Sequence, residues 1–187
     1  MIRILCALLL LGVGSARAAS LEGVTFPDTY PVDGQVLHLN GLGLRTLTIL
    51  RVRAYVAGLY VARPTHDEEQ IVDSASPKVL IMAFLRSGSK SQVEGQFRQG
   101  EKVNCGQGGC DVSDQADFER MIAAAPAVNA GDTFTFELTN HGVRFSVNGR
   151  VAATSDKADL SKRILLGFIG EHPPSPELRE QLLGESD

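Results

Sequence analysis

The chain has 187 residues, of which 6% are aromatic and none is tryptophan, and its formal net charge at pH 7 is −4. An acidic chain with few aromatic rings is poorly suited to nucleic acid, which needs basic residues for phosphates and rings for base stacking. The length fits one domain with a sizeable core.

The first 18 residues have the pattern of a secretory signal peptide. Arg3 precedes an apolar run over residues 4–11, and the small-residue sequence Ala-Arg-Ala ends at Ala18. The apolar run is shorter than the roughly 20 residues that a membrane span needs, and no second long apolar stretch follows it. We therefore expect cleavage near Ala18, a periplasmic or secreted location, a single domain over residues 19–187 and no membrane span.

Two strands are predicted over residues 36–62, where β-branched and aromatic residues often alternate with polar ones. Residues 64–77 begin polar and are bounded by prolines, which is typical of a connection with room for a short helix. The apolar run KVLIMAFL at 78–85 has the length and composition of a central strand.

The second half of the chain adds helices and a strand meander. Ser89 or Ser91 is a suitable N-cap for one helix, and Ser113 is suitable for a second helix that ends before Pro126. Alternating segments at 131–139 and 143–155, with Asn148-Gly149 as a hairpin turn, predict antiparallel strands. Two further helices are predicted at 159–172 and after Ser175.

The order of these elements is strands, helices, strands, helices, without the regular alternation of a parallel sheet. This order predicts an α+β fold in which an open antiparallel sheet carries a layer of helices on one face.

Cys105 and Cys110 flank a loop in which three of four residues are glycine. Flexible glycine lets two cysteines approach to disulfide distance, and an exported location favours oxidation. A lone cysteine pair without a neighbouring histidine supplies only half of a zinc site, and a thioredoxin-type pair needs two intervening residues. We predict a structural disulfide, with a reactive role as the alternative.

Arg45 and Tyr55 stand in the two predicted strands at equal distances from a reversal near Leu50. Opposed residues on antiparallel strands share one face of the sheet, so the guanidinium and the phenol could converge on a carboxylate or enolate oxygen. The alternative is that Arg45 extends to solvent and Tyr55 is an ordinary strand aromatic.

The segments LNGLGLRTLTI and RVRAYVAGLYVA, together with LSKRILLGFIGEHPPSPELREQLLG near the carboxyl end, resemble the chalcone isomerase superfamily. This resemblance covers nearly the whole chain after the leader. It implies an open antiparallel sheet with a layer of helices that encloses a ligand cleft, in agreement with the order of the elements.

The same resemblance assigns roles to single residues. Arg45 matches the arginine that orients or polarises the substrate in the plant enzymes. Tyr55 stands where those enzymes have threonine and is similar to the tyrosine of the fatty-acid-binding branch. Ser161 matches a cleft-lining Thr or Ser. The active-site tyrosine and asparagine of the enzymes fall at Val93 and Gly100, so two polar groups of the enzyme are replaced.

These features predict a binding protein that holds a fatty-acid-like or other small carboxylate or enolate through Arg45, Tyr55 and Ser161. The alternative is an isomerase of the chalcone-flavanone type that acts on a flavonoid-like or other enolisable ketone. We predict no cofactor and no metal, because the four histidines are scattered and no phosphate-binding loop is present.

Overall fold

A computed structural model describes residues 18–47, 50–105 and 115–185. The strands are β1 Ala18–Leu21, β2 Val24–Pro27, β3 Thr29–Val32, β4 Gln35–Leu47, β5 Val52–Val61, β6 Lys78–Phe84, β7 Thr133–Thr139, β8 Gly142–Val147 and β9 Arg150–Ser155. The helices are α1 Glu68–Asp73, α2 Lys90–Cys105, α3 Gln115–Ala123, α4 Ala158–Ile169 and α5 Pro176–Leu182. The predicted leader up to residue 17, Cys110 and the predicted cap Ser113 lie outside the described residues.

Strands β3 to β9 form one seven-stranded antiparallel sheet in which each strand lies beside its neighbours in the sequence. The larger core lies between this sheet and the helices, and it includes Ile71, Phe118, Leu160 and Leu178 from four of them. The predicted α+β fold, an antiparallel sheet with helices on one face, is therefore confirmed.

The opposite face of the sheet is covered by the β1–β2 hairpin, which the sequence did not predict. Phe26 of this hairpin is buried and belongs to a second, smaller core cluster with Val56 and Tyr60. A Cβ atom on Gly58 would lie 2.8 Å from the Phe26 ring, so only glycine lets that ring lie on the strand. The Tyr60 hydroxyl donates a hydrogen bond to the carbonyl of Pro27, at 2.9 Å.

The glycines of β4 permit the close approach of α5. A Cβ atom on Gly41 would lie 2.0 Å from the carbonyl oxygen of Gln181, and one on Gly43 would lie 2.6 Å from Leu178 Cδ1. The Gln181 side chain then accepts a hydrogen bond from the backbone N–H of Leu44, at 2.8 Å. The glycine-rich pattern of this strand is thus a packing requirement.

Several predicted helix ends and turns are confirmed. Ser89 and Gln92 form a reciprocal pair at the start of α2, where each side chain accepts from the other residue's backbone N–H. Ser175 caps α5 by accepting from Leu178 N at 3.2 Å. Asn148 and Gly149 both have positive φ, at 49° and 74°, as a type I′ hairpin turn requires.

Within the described residues, none of the helices combines the length and hydropathy that a membrane-spanning helix needs.

Candidate functional site

A cavity of about 600 Å³ lies between the sheet and helices α2, α3 and α4. The apolar part of its wall includes Leu47, Val52, Ala54, Tyr55, Met82 and Phe84 from the sheet side and Val93, Phe97, Phe118, Ile164 and Phe168 from the helices. Small-molecule sites typically have volumes of about 300 to 1,000 Å³ and mostly apolar walls. The cavity is therefore suited to an apolar ligand.

Arg45 and Tyr55 are direct cross-strand partners on β4 and β5. The residues on the same face of β4, Gly41 and Gly43, face helix α5, which places Arg45 and Tyr55 on the helix side of the sheet. The predicted pairing of these two residues is confirmed. A role of either residue in ligand binding stays a prediction.

Only one member of this pair is part of the cavity wall. Tyr55 lines the cavity and packs edge-on against Phe84, with 5.8 Å between ring centroids. Arg45 is not among the described residues that line it. Arg45 is the strand partner of Tyr55 and its charge acts on the Tyr55 hydroxyl, so it would act on a ligand's charge without being part of the wall.

Burial raises the pKa of Tyr55 well above its ordinary value, and the positive charge of Arg45 partly opposes that increase. The tyrosine therefore remains a neutral hydroxyl at physiological pH. A neutral hydroxyl can donate a hydrogen bond to a carboxylate or enolate oxygen without adding a second negative charge.

Ser161 is placed differently from the expectation. Its hydroxyl is buried and lies 2.9 Å from the carbonyl of Thr139 and 2.7 Å from that of Gly142. These contacts fasten α4 to the β7–β8 turn. Ser161 is not among the described residues that line the cavity, so its side chain serves packing in this structure.

Val93 and Gly100 both line the cavity from α2. Val93 is buried, whereas a Cβ atom on Gly100 would meet nothing within 4 Å. The two positions that the sequence resemblance matches to a tyrosine and an asparagine of the plant enzymes thus lie in the cavity wall and offer no polar side-chain group.

The cavity wall also contains a group that the sequence did not single out, Arg163 of α4. Its side chain is only 6% exposed, and its Nη2 donates to the Glu101 carboxylate and to the Gln115 amide oxygen, the latter at 2.6 Å. Its Cζ lies 4.7 Å from the centroid of the Phe118 ring. An arginine in an otherwise amphipathic helix gives little sequence signal, because it reads as a solvent-facing residue.

Two nitrogens of this arginine, Nε and Nη1, are buried and have no hydrogen-bond partner within the described part of the chain. A buried donor without a partner costs free energy, on the order of 1–3 kcal/mol. Among the described residues of the wall, Arg163 is the one with buried side-chain nitrogens that lack a partner.

Polar contacts attach α2, which covers the cavity, to its neighbours. Arg98 binds Glu119 of α3 at 3.0 Å, and Asn104 Nδ2 donates to the carbonyl of His172 at 3.1 Å. Phe97 adds an edge-to-face contact with Phe136, at 5.9 Å between ring centroids. The outer wall of the cavity is thus held mainly by charged and polar groups at its margin.

Across residues 18–47, 50–105 and 115–185, no three His, Cys, Asp or Glu side chains come together as a metal site would require. The Cys105–Cys110 disulfide stays a prediction, because Cys110 lies outside the described residues.

The comparisons with known proteins agree with this architecture. A solved structure of a fatty-acid binding protein from Arabidopsis thaliana is similar to this chain, with a TM-score of 0.68 and 15% identity, over 90% of this chain and 97% of that one. At this identity the likeness shows the fold. The chain has no significant match among curated protein sequences. The family model described as chalcone isomerase-like matches residues 18–184, and the chain therefore belongs to the chalcone isomerase-like family.

Proposed function

We propose that this protein binds a fatty-acid-like carboxylate in the cavity, with the acyl chain along the apolar wall and the carboxylate at Tyr55 beside Arg45. The observation that carries the proposal is the cavity of about 600 Å³ whose mostly apolar wall includes Tyr55, the strand partner of Arg45. An apolar cavity with a few fixed polar groups is the usual form of a lipid site. The similarity to a fatty-acid binding protein supports the same ligand class.

The pair is suited to a carboxylate for electrostatic reasons. Tyr55 supplies a neutral donor at the wall, and Arg45 supplies a positive charge on the same face of the sheet. Beside a cavity of low polarity, the positive charge of Arg45 attracts an anion more strongly than it would in water. A ligand carboxylate would therefore be held by one hydrogen bond and by the neighbouring charge.

We propose binding rather than catalysis because of the residues with which helix α2 lines the cavity. Chalcone ring closure needs polar groups that converge on the substrate and protonate an enolate. Val93 and Gly100 line the cavity, and the sequence resemblance matches them to two such groups of the plant enzymes. The wall that remains can enclose an apolar molecule but lacks those two contributions to transition-state stabilisation.

We further propose that the protein acts in the periplasm or outside the cell, after cleavage near Ala18. The support is the pattern of the first 18 residues, in which Arg3 precedes a short apolar run and a small-residue sequence ends at Ala18. Amino-terminal sequencing of protein from the periplasmic fraction tests this. A first residue at or near Ala19 is expected, whereas full-length protein in the cytoplasm contradicts it.

The test of ligand binding is native mass spectrometry of the purified protein, followed by calorimetric titration of delipidated protein with laurate. An adduct with the mass of a fatty acid and saturable binding are expected. Absence of both would refute the proposal.

A further inference from the structure

We infer that Arg86 is the residue that contacts the ligand's carboxylate as a cation, so that the carboxylate lies at the exposed rim of the cavity and the acyl chain extends inward. This inference rests on the proposed function and specifies how its site recognises charge. Its basis is that Arg86 lines the cavity, is exposed, and forms no hydrogen bond or ion pair with any other described residue.

The alternation of residues along strand β6 sets the face on which Arg86 lies. Met82 and Phe84 belong to the core on the helix side, whereas Leu85 packs against the smaller cluster on the opposite face. The pairing continues past the end of β6, because the backbone N–H of Leu85 donates to the carbonyl of Ala54 at 2.9 Å. Arg86 is the next residue in this alternation, so it lies on the same face as Met82 and Phe84, which also line the cavity.

This position brings Arg86 within reach of a carboxylate held at Tyr55. Tyr55 is the direct cross-strand partner of Phe84, so Arg86, which follows two positions after Phe84, is a diagonal neighbour of Tyr55. Diagonal neighbours lie roughly 7–8 Å apart, a distance that a long side chain spans. A carboxylate that accepts a hydrogen bond from the Tyr55 hydroxyl can therefore also accept from the Arg86 guanidinium.

The charges of the cavity wall favour an anionic group at Arg86. The charged side chains among the described residues of the wall are Arg86, Glu101 and Arg163. Glu101 and Arg163 form an ion pair with each other, so Arg86 gives this wall a net positive charge in a chain whose formal net charge is −4. A guanidinium that has no carboxylate partner in the described chain can form a two-pronged, charge-assisted contact with the carboxylate of a ligand.

The burial of the wall sets the direction of the acyl chain. Arg86 and Ser87 line the cavity and are exposed, whereas Phe118, Ile164 and Phe168 line it and are buried. A carboxylate at the exposed rim keeps part of its hydration, while an apolar chain gains free energy by leaving water. A fatty acid therefore binds with its carboxylate outward and its chain toward helices α3 and α4.

The experiment is calorimetric titration of delipidated protein with laurate and with 1-dodecanol, which has the same chain length but no charge. Arg86→Gln should lower laurate affinity about tenfold, the lower end for a charge-assisted hydrogen bond because Arg86 is exposed. The same variant should leave dodecanol affinity within about twofold. Arg86→Lys should lose roughly threefold in laurate affinity, because lysine keeps the charge but lacks the planar fork of donors.

Arg150→Gln is the matched control, since Arg150 is also exposed but lies on β9 and is not among the described residues that line the cavity. Its laurate affinity should equal that of the wild type, and circular dichroism confirms that each variant is folded. Unchanged laurate affinity in Arg86→Gln, or equal losses for laurate and dodecanol, would overturn the inference. Failure of the proposed function is a different result, since laurate would then not bind the wild type.

Arg86→Glu provides a second measurement, which reverses the charge at the rim. The ratio of laurate affinity to dodecylammonium affinity should fall about 100-fold relative to the wild type, because the variant repels the carboxylate and attracts the ammonium group. An unchanged ratio would show that the charged end of the ligand lies away from Arg86 and would contradict the inference.

Discussion

Arg45 and Tyr55 are direct partners across the β4–β5 ladder, yet only Tyr55 lines the cavity. In the proposed site the two residues would therefore contribute to a bound carboxylate in different ways. Tyr55 can touch the ligand, whereas Arg45 acts through its charge. This difference sets the expected order of the variant effects.

Tyr55→Phe should lower laurate affinity about 10- to 150-fold, since it deletes a hydrogen bond to a carboxylate, worth roughly 1.5 to 3 kcal/mol, and keeps the ring contact with Phe84. Arg45→Ala should lower it about tenfold through the loss of a nearby positive charge. Arg53→Ala is the control, because Arg53 lies on the same hairpin, is exposed and pairs with Glu22. Calorimetric titration measures all three, and equal affinities across the series would mean that Arg45 and Tyr55 are only sheet residues.

Two glycines of contrasting environment give a prediction about stability. Gly41→Ala places a Cβ atom against the backbone carbonyls of Gln181 and Leu182, at 2.0 and 2.8 Å, so α5 must move. We expect a loss of about 3 kcal/mol in the free energy of unfolding, at the upper end of overpacking effects. Gly100→Ala meets no atom within 4 Å in α2 and should gain about 0.5 to 1 kcal/mol from helix propensity.

Urea denaturation of the two glycine variants and the wild type checks this contrast. A Gly41→Ala protein as stable as the wild type would show that α5 does not lie on β4 as closely as described.

Because of Tyr60, we expect the free energy of unfolding to fall as the pH rises in the alkaline range. Burial raises its pKa to about 12, whereas an unfolded tyrosine ionises near pH 10. Below pH 10 both states are protonated and the group contributes no pH dependence. Between about pH 10 and 12 the unfolded state loses its proton first, so the free energy of unfolding falls by up to about 1.4 kcal/mol per pH unit.

Denaturant titrations at pH 9, 10, 11 and 11.5 measure the slope. Tyr60→Phe should have a shallower slope over this range, even though it is less stable at pH 9 because it lacks the hydrogen bond to Pro27. Identical slopes for the two proteins would contradict the assignment of the effect to Tyr60.

The predicted Cys105–Cys110 disulfide closes a short loop directly after α2. In the chain-entropy model such a loop stabilises the fold by about 2 kcal/mol, less any strain. Intact-mass measurement after alkylation without reductant should show neither thiol modified. Two alkylated thiols would contradict the disulfide.

The register of Arg45 and Tyr55 shows how far sequence reasoning reaches. Counting outward from a reversal at Leu50 pairs 45 with 55, which is the observed pair. The strands, however, meet next to the turn as Leu47 with Val52 and Thr46 with Arg53, and a bulge at Ala54 restores the predicted pairing. Bulges have no clear sequence signature, so this agreement depended on a feature that could not be foreseen.

Other parts of the molecule show which features could be predicted from the sequence and which could not. The sheet order and the caps follow from alternation and from short-range residue patterns, which a sequence displays directly. The covering hairpin with Phe26 and the buried Arg163 depend on contacts between segments distant in the chain. Ser161 matched a position in a motif, but its hydroxyl binds the backbone of the β7–β8 turn. Local patterns do not encode these partners.

The last prediction concerns catalysis. We expect the purified protein to give no measurable acceleration of chalcone ring closure over the spontaneous reaction, because Val93 and Gly100, which the sequence resemblance matches to two polar residues of the enzymes, offer no polar side chain to the cavity. Loss of one positioned donor typically costs about 100- to 1,000-fold in rate, and two such losses would leave little activity. The assay follows chalcone absorbance at several protein concentrations, with heat-denatured protein as the blank. Turnover that scales with protein concentration and disappears in Arg45→Ala would reject this prediction and support the isomerase alternative, whereas turnover that persists in Arg45→Ala would place catalysis at groups other than this pair.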